Sequence, residues 1–185
     1  IPGVSYGTHA LISAPILWNN YLWVNTINGL VRYDLATNTY ITPVANAVGK
    51  PVVGGDYLYI LTSDNHIKGV NATGSVVKDI TVSGNVGSTL AINNDNTVLY
   101  TVNANGNIYR ASVNANSADK IYHVNPVSSA FVVGNDGNLY VGDKEGILWV
   151  IKPSYNYDYN YWEGKIVWAY NASSAIFGTP PVLKF

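Results

Sequence analysis

The residues that could do chemistry are few, and their spacing argues against catalysis. Eleven carboxylates run from Asp34 to Glu163, nearly all beside Gly, Asn or Ser. General acid–base work needs a carboxylate perturbed in a cleft, whereas an Asp in a polar turn hydrogen-bonds its own backbone. Asp143-Lys144-Glu145-Gly146 and Asn93-Asn94-Asp95-Asn96 are rich in oxygen. Neither has the alternating ligands and terminal bidentate Glu of a calcium loop. His9, His66 and His123 show no HxH or HExxH spacing, so only a zinc site assembled from distant segments would use them. Cysteine is absent, which removes thiolate nucleophiles, disulfides and iron–sulfur ligands. No serine lies in a GxSxG turn. Gly pairs such as Gly54-Gly55 open hairpins, not helices, and cradle no phosphate. The expectation is a protein that is not an enzyme, with no catalytic residue, cofactor or metal ion.

One aromatic segment stands apart: Tyr155-Asn156-Tyr157-Asp158-Tyr159-Asn160-Tyr161-Trp162. In an extended conformation Tyr155, Tyr157, Tyr159 and Tyr161 point to one side. Four tyrosines would present on the order of 600–1,000 Å², at or above the roughly 300–600 Å² of the largest apolar patch on a monomer. Three uses compete. The segment is a hairpin folded back over its own protein, a contact with another protein or a second copy, or a platform on which a glycan stacks. Two acceptor sequons, Asn71-Ala72-Thr73 and Asn171-Ala172-Ser173, make Asn71 and Asn171 the expected glycosylation sites of an extracellular chain.

Composition narrows the partners. The 185 residues are enough for one domain with a core that needs no staples. Charged residues are 11% of the chain and the net charge is −1, against about 25% charged in an ordinary soluble protein. With no surplus of Lys and Arg to displace counterions, nucleic acid and polybasic membrane contact are excluded. No apolar stretch approaches the roughly 20 residues of a membrane span. Asn, Tyr, Ser and Thr take the places usually held by Lys and Glu, which suits a secreted or cell-surface β protein. The chain starts at Ile1 and has no Met, so it is expected to be a processed mature chain or a piece of a longer one.

The elements that must position these residues repeat. At a shift of 36, Pro15 falls on Pro51, Tyr21 on Tyr57, Leu22 on Leu58, Ala36 on Ala72 and Thr37 on Thr73. At a shift of 40, Leu99-Tyr100 falls on Leu139-Tyr140, Gly106 on Gly146 and Ile108 on Leu148. Each unit reads as an apolar opener, a turn of Gly, Asn and Asp, a strand centred on Leu-Trp or Leu-Tyr, a second turn and two further strands. Helical spacing of apolar residues is not sustained anywhere. Short strands with a period near 40 and four strands per repeat predict an all-β array of about four four-stranded antiparallel β-propeller blades. The units are about 13–48, 49–86, 87–126 and 127–172, with 173–185 an extra opener strand, all in one domain over 1–185.

The units resemble the blades of quinoprotein-type (pyrroloquinoline-quinone-type) β-propellers, with an opener, an "LY" strand, a Gly turn, a third strand and a closing "TG…W" segment. Ala72-Thr73-Gly74 and Gly164-Lys165-Ile166-Val167-Trp168 carry that closing segment in pieces. Val31-Arg32-Tyr33-Asp34 has a weaker kelch-like look. The quinone enzymes of that family hold their cofactor in a larger ring with an adjacent cysteine pair, so the resemblance implies a scaffold and carries over no cofactor-contacting position. The array is then a small closed ring or an incomplete part of a larger propeller, and the extra opener would suit closure by strand exchange. The expected function is a non-catalytic, extracellular or cell-surface module for binding and assembly. Its alternatives are a fragment of a larger quinoprotein-like enzyme and a carbohydrate-binding lectin.

Overall fold

The computed structural model describes residues 10–84, 86–87, 89–127 and 131–172. The first unit forms β1 (Ile16–Trp18), β2 (Tyr21–Thr26), β3 (Gly29–Asp34) and β4 (Thr39–Val44). The second forms β5 (Ala47–Gly54), β6 (Tyr57–Thr62), β7 (His66–Val70) and β8 (Val76–Val82). In the third are β9 (Thr89–Ile92), β10 (Val98–Val102), β11 (Asn107–Ser112) and β12 (Ser117–His123). The fourth comprises β13 (Val132–Val133), β14 (Leu139–Gly142), β15 (Ile147–Asn156) and β16 (Tyr161–Asn171). Within each unit the strands pair antiparallel in chain order. The second and third units also join at their outer strands, where Thr81 and Val82 of β8 pair parallel with Ser117 and Ala118 of β12. Among the described residues there is no helix, and so none that crosses a membrane. The all-β blade architecture is therefore observed. The second opener starts earlier than expected, at Ala47, because a bulge between Val48 and Val52, with Gly49 at φ 71°, lets the strand continue upstream of Pro51. The extra opener at 173–185 lies outside the described residues.

The Leu-aromatic pair explains how the sheets stack. Adjacent residues of a strand face opposite sides, so Leu22-Trp23, Leu58-Tyr59, Leu99-Tyr100 and Leu139-Tyr140 each send leucine one way and the ring the other. Trp23 shares a core cluster with Leu58, Ile60 and Val70 of the next sheet. Tyr59 clusters with Leu99 and Ala111 of the third, and Tyr100 with Leu139 and Ile151 of the fourth. Leucine thus looks back and the ring looks forward. Leu58, Leu99 and Leu139 are each 0% exposed, and burying such a side chain is worth about 1.5–3 kcal/mol.

The turn after each Leu-aromatic strand is built alike. Thr26 and Thr62 end those strands, Asn103 and Asp143 directly follow them, and all four are buried; three residues later Gly29, Asn65, Gly106 and Gly146 all take positive φ. At the end of the last strand of three units the chain ties back to this residue, through Val82 N to Asn65 O, Val124 N to Gly106 O and Ala172 N to Gly146 O. At Gly106 a Cβ would meet the carbonyl oxygen of Val124 at 2.1 Å, so close approach as well as φ demands glycine. Asp143 is the extreme case. Its carboxylate accepts bonds from Asn125 Nδ2 (3.0 Å), Glu145 N (3.0 Å), Ile147 N (2.8 Å) and Trp149 Nε1 (2.7 Å). It fastens the link between the third and fourth sheets to the turn of the fourth.

Two outcomes follow. Asp143→Ala strands the indole and amide donors, so chemical denaturation should show a loss of about 2–4 kcal/mol. Asp143→Asn, which keeps the turn acceptor that Asn103 uses, should lose distinctly less; equal losses would contradict the capping role. The second concerns pH. Asp34 is held below the usual carboxylate range by the backbone N–H groups of Ala36 and Thr37, Asp64 by the Thr62 hydroxyl, and Asp79 by Lys68 and His66. A lowered folded-state pKa adds stability above the unfolded value, and that stability is lost as pH falls through the folded one. All three groups are largely solvated, so the contribution is small. The thermal midpoint should stay nearly flat from about pH 8 to pH 5 and decline below about pH 4; a steep loss between pH 7 and 5 would contradict this.

Candidate functional site

The aromatic segment forms the far end of the longest hairpin. β15 and β16 pair from Ile147↔Asn171 out to Asn156↔Tyr161, and the chain reverses at 157–160. Asn156 starts the turn by accepting the N–H groups of Asp158 (3.1 Å) and Tyr159 (3.2 Å), and Asn160 completes it at φ 59°. Of the three uses the sequence left open, the segment does form a hairpin on its own protein, and its reversal splits the row of tyrosines that a fully extended segment would align: two asparagines with turn chemistry outweigh the β preference of the tyrosines. Tyr155 instead stacks edge-on against Trp162 across the strands (5.3 Å) and against Tyr157 (5.1 Å), and its hydroxyl bonds Asn160. Tyr159 and Tyr161 lie 6.4 Å apart. At the tip, Tyr157 is 87% and Tyr159 75% exposed.

The hairpin leans on the third sheet. The Trp162 ring covers the Arg110 guanidinium at 3.5 Å, a cation–π contact. Gly164 packs so tightly that a Cβ would meet Ile151 Cγ2 at 2.8 Å and Tyr122 Cβ at 2.9 Å. Burial pushes the Arg110 pKa down, partly offset by the Tyr100 phenol and Asp119; the same burial pushes the Tyr100 phenol up. Tyr155 and Trp162 therefore anchor the hairpin, Tyr157 and Tyr159 display it, and Tyr161 is half-exposed beside them.

Elsewhere the chemical groups stay apart. His66 Nδ1 and Lys68 Nζ both engage Asp79, at 2.6 and 2.5 Å, and His123 Nδ1 meets Asn107 Oδ1 at 3.0 Å. His9 lies outside the described residues, among which no three His, Cys, Asp or Glu side chains gather as metal ligands. Asn71 caps the turn before β8, its Oδ1 accepting Thr73 N (3.1 Å), Thr73 Oγ1 (2.7 Å) and Ser75 N (2.9 Å). Asn171 ends β16 and is exposed; Ser173 of its sequon is outside the described residues. The arrangement of exposed rings and amides can stack and hydrogen-bond.

A set of cations went unnoticed in the sequence. Arg32 Nη1 donates to Ala72 O of the second unit (3.0 Å), Lys78 Nζ to Asn114 Oδ1 of the third (2.9 Å), and Arg110 stacks on Trp162 of the fourth. Arg32 and Lys78 each reach the turn between the last two strands of the next unit, and Arg110 reaches the start of the last strand of the next unit. The signal was faint because the cation comes from the third strand in two units and the fourth strand in the other. Only the pairing register shows that Arg32, Lys78 and Arg110 lie in corresponding cross-strand rows.

No protein-family model matches the chain, and no curated protein does. Solved structures do. Hsv2 of Kluyveromyces lactis matches with a TM-score of 0.63 at 14% identity, over 85% of this chain and 61% of that one. A structural-genomics protein of unknown function from Bacteroides thetaiotaomicron matches at 0.62 and 15%, over 86% of this chain and 44% of that one. The chain thus spans about three-fifths or less of the length of these structures. Hsv2 is a β-propeller, and likeness at such low identity shows the fold alone: the four four-stranded units are β-propeller blades.

Proposed function

We propose that the chain is a non-catalytic binding and assembly module, secreted or displayed at the cell surface, in which the aromatic hairpin is the contact element. The observation that carries this reading is the pair of rings at the tip. Tyr157 and Tyr159 are the two most exposed large hydrophobic residues described, on a hairpin held just below its turn by Trp162 over Arg110. Rigid tyrosines beside asparagine give contact area with little ordering entropy, as at protein interfaces. Glycosylation at Asn71 and Asn171 would accord with the extracellular setting. The partner class is protein, self or other, with a glycan as the lectin alternative. A second reading, part of a larger quinoprotein-like enzyme, draws on the fraction of its structural neighbours that the chain spans; it places the catalytic residues outside these 185 positions.

The test is the double variant Tyr157→Ala with Tyr159→Ala, read on a glycan microarray and on immobilised copies of the parent chain. Its stability should stay within about 0.5 kcal/mol of the parent, as for exposed substitutions. At least one of the two binding signals should fall tenfold or more. Both signals unchanged would contradict the assignment of the hairpin.

A further inference from the structure

The side chains that can be oxidised are of one kind. The chain has no Cys and no Met, the two residue types that ordinarily take up oxidising equivalents first. It has 15 Tyr and 5 Trp instead, so one-electron oxidation falls on phenol and indole rings. Burial then sorts the tyrosines. Tyr59, Tyr100 and Tyr109 are sealed in the core, whereas Tyr157 and Tyr159 stand 87% and 75% exposed. Tyr170 and Tyr40 follow at 60% and 59%, but both lie in strands, paired with Leu148 and Tyr33. Among the described tyrosines only Tyr157 and Tyr159 sit on a turn, where their ring edges project clear of a sheet.

The contacts within the hairpin direct oxidation outward. Trp162 lies against Tyr155 at 5.3 Å and Tyr155 against Tyr157 at 5.1 Å, so three rings form a line from the third sheet to the tip. Electrostatics closes the inner end of that line. The Arg110 guanidinium sits 3.5 Å from the Trp162 ring centroid, and a fixed positive charge opposes removal of an electron from the ring it faces. Tyr155 is half-buried, and its hydroxyl donates to the Asn160 amide oxygen, a base too weak to keep the proton that a phenoxyl radical must lose. Tyr157 and Tyr159 meet water, which carries that proton away. The rings of one hairpin are also poorly placed to join one another. Tyr155 and Tyr157 stand at 80°, edge against face, whereas a bond between two rings joins edge to edge. Tyr159 and Tyr161 are 6.4 Å apart, further than bonded rings stand.

We propose that Tyr157 and Tyr159 are a site of oxidative tyrosine coupling, through which the hairpin tips of two copies become covalently joined by a peroxidase-type oxidant. Each of two tyrosines, one from each copy, gives an electron to the oxidant and its phenolic proton to water. The two phenoxyl radicals join through ring carbons ortho to the oxygens, and the hydrogens on those carbons move to the oxygens, restoring both phenols. One hydrogen peroxide takes up the two electrons and two protons and leaves as two waters. The product is a dityrosine, two hydrogens lighter than the two chains together. This deepens the assembly reading and rests on it for the second copy as partner; it adds the chemistry that makes the contact permanent.

The experiment treats the chain with a haem peroxidase and hydrogen peroxide, then reads a denaturing gel, dityrosine fluorescence and mass mapping of the linked peptides. A covalent dimer joined at Tyr157 or Tyr159 should appear. The double variant Tyr157→Phe with Tyr159→Phe keeps both rings and removes both phenols. Its circular dichroism should match the parent, as for exposed substitutions, and its dimer yield should fall by about tenfold or more. No dimer from the parent, a dimer mapped to other tyrosines such as Tyr40 or Tyr170, a link within one chain alone, or an equal yield from the variant overturns the proposal. The two readings fail separately. Absence of coupling while the parent still binds through its hairpin overturns this proposal alone. Coupling at the tips while the alanine double variant leaves both binding signals unchanged supports the coupling site and overturns the hairpin as a standing contact.

Discussion

A strand that buries both faces needs a neighbour on each side, and that requirement governs this molecule. The Leu-aromatic dipeptide turns it into a direction: leucine is sealed by the blade before, the ring by the blade after. Three such interfaces hold the chain together through three separate apolar clusters. Stability in an array of this kind is roughly the sum of each unit and its contacts with its neighbours. Among the described residues Leu22 and Tyr140 are only half-buried, whereas Leu58, Leu99, Leu139, Trp23 and Tyr59 are sealed between units.

Polar groups supply the alignment that apolar packing leaves undetermined. A flat apolar face can slide, whereas Arg32, Lys78 and Arg110 each fix one blade against a defined atom or ring of the next. The buried turn residues do the same in the other direction of the fold. Asp143, with four donors around its carboxylate, secures the third-to-fourth connection, and it is a charge that the interior tolerates because every donor has its acceptor. The aromatic hairpin uses both devices at once. Just below the turn it is seated by Trp162 on Arg110 and by the close approach at Gly164, which leaves the tip to project two tyrosines into solvent.

Much of this was legible in the sequence, and the reason is periodicity. Leu58-Tyr59 and Leu139-Tyr140 alternate in facing, and the turn residues between them repeat, so strand number, the order within each unit and the blade architecture followed from spacing, whereas the parallel pairing of β8 with β12 that joins the second and third units did not. What did not follow were features that depend on register. The earlier start of β5 required knowing that Gly49 bulges. The reversal at 157–160 depended on Asn156 and Asn160 prevailing over four tyrosines that favour extended backbone. Asp143 read correctly as a turn residue, but nothing local revealed that Trp149 and Asn125 would close over it. The cross-blade cations were the least legible, since corresponding rows draw their cation from different strands.

The account stands on leucine looking back and the ring looking forward in every blade. Selective methyl labelling of the leucines, with a soluble paramagnetic chelate added under conditions where single copies prevail, reads that arrangement directly. The methyl signals of Leu58, Leu99 and Leu139 should be untouched by the chelate while those of Leu17 and Leu22 broaden. Broadening at any of the first three, or protection of Leu22 equal to theirs in the single copy, would contradict it.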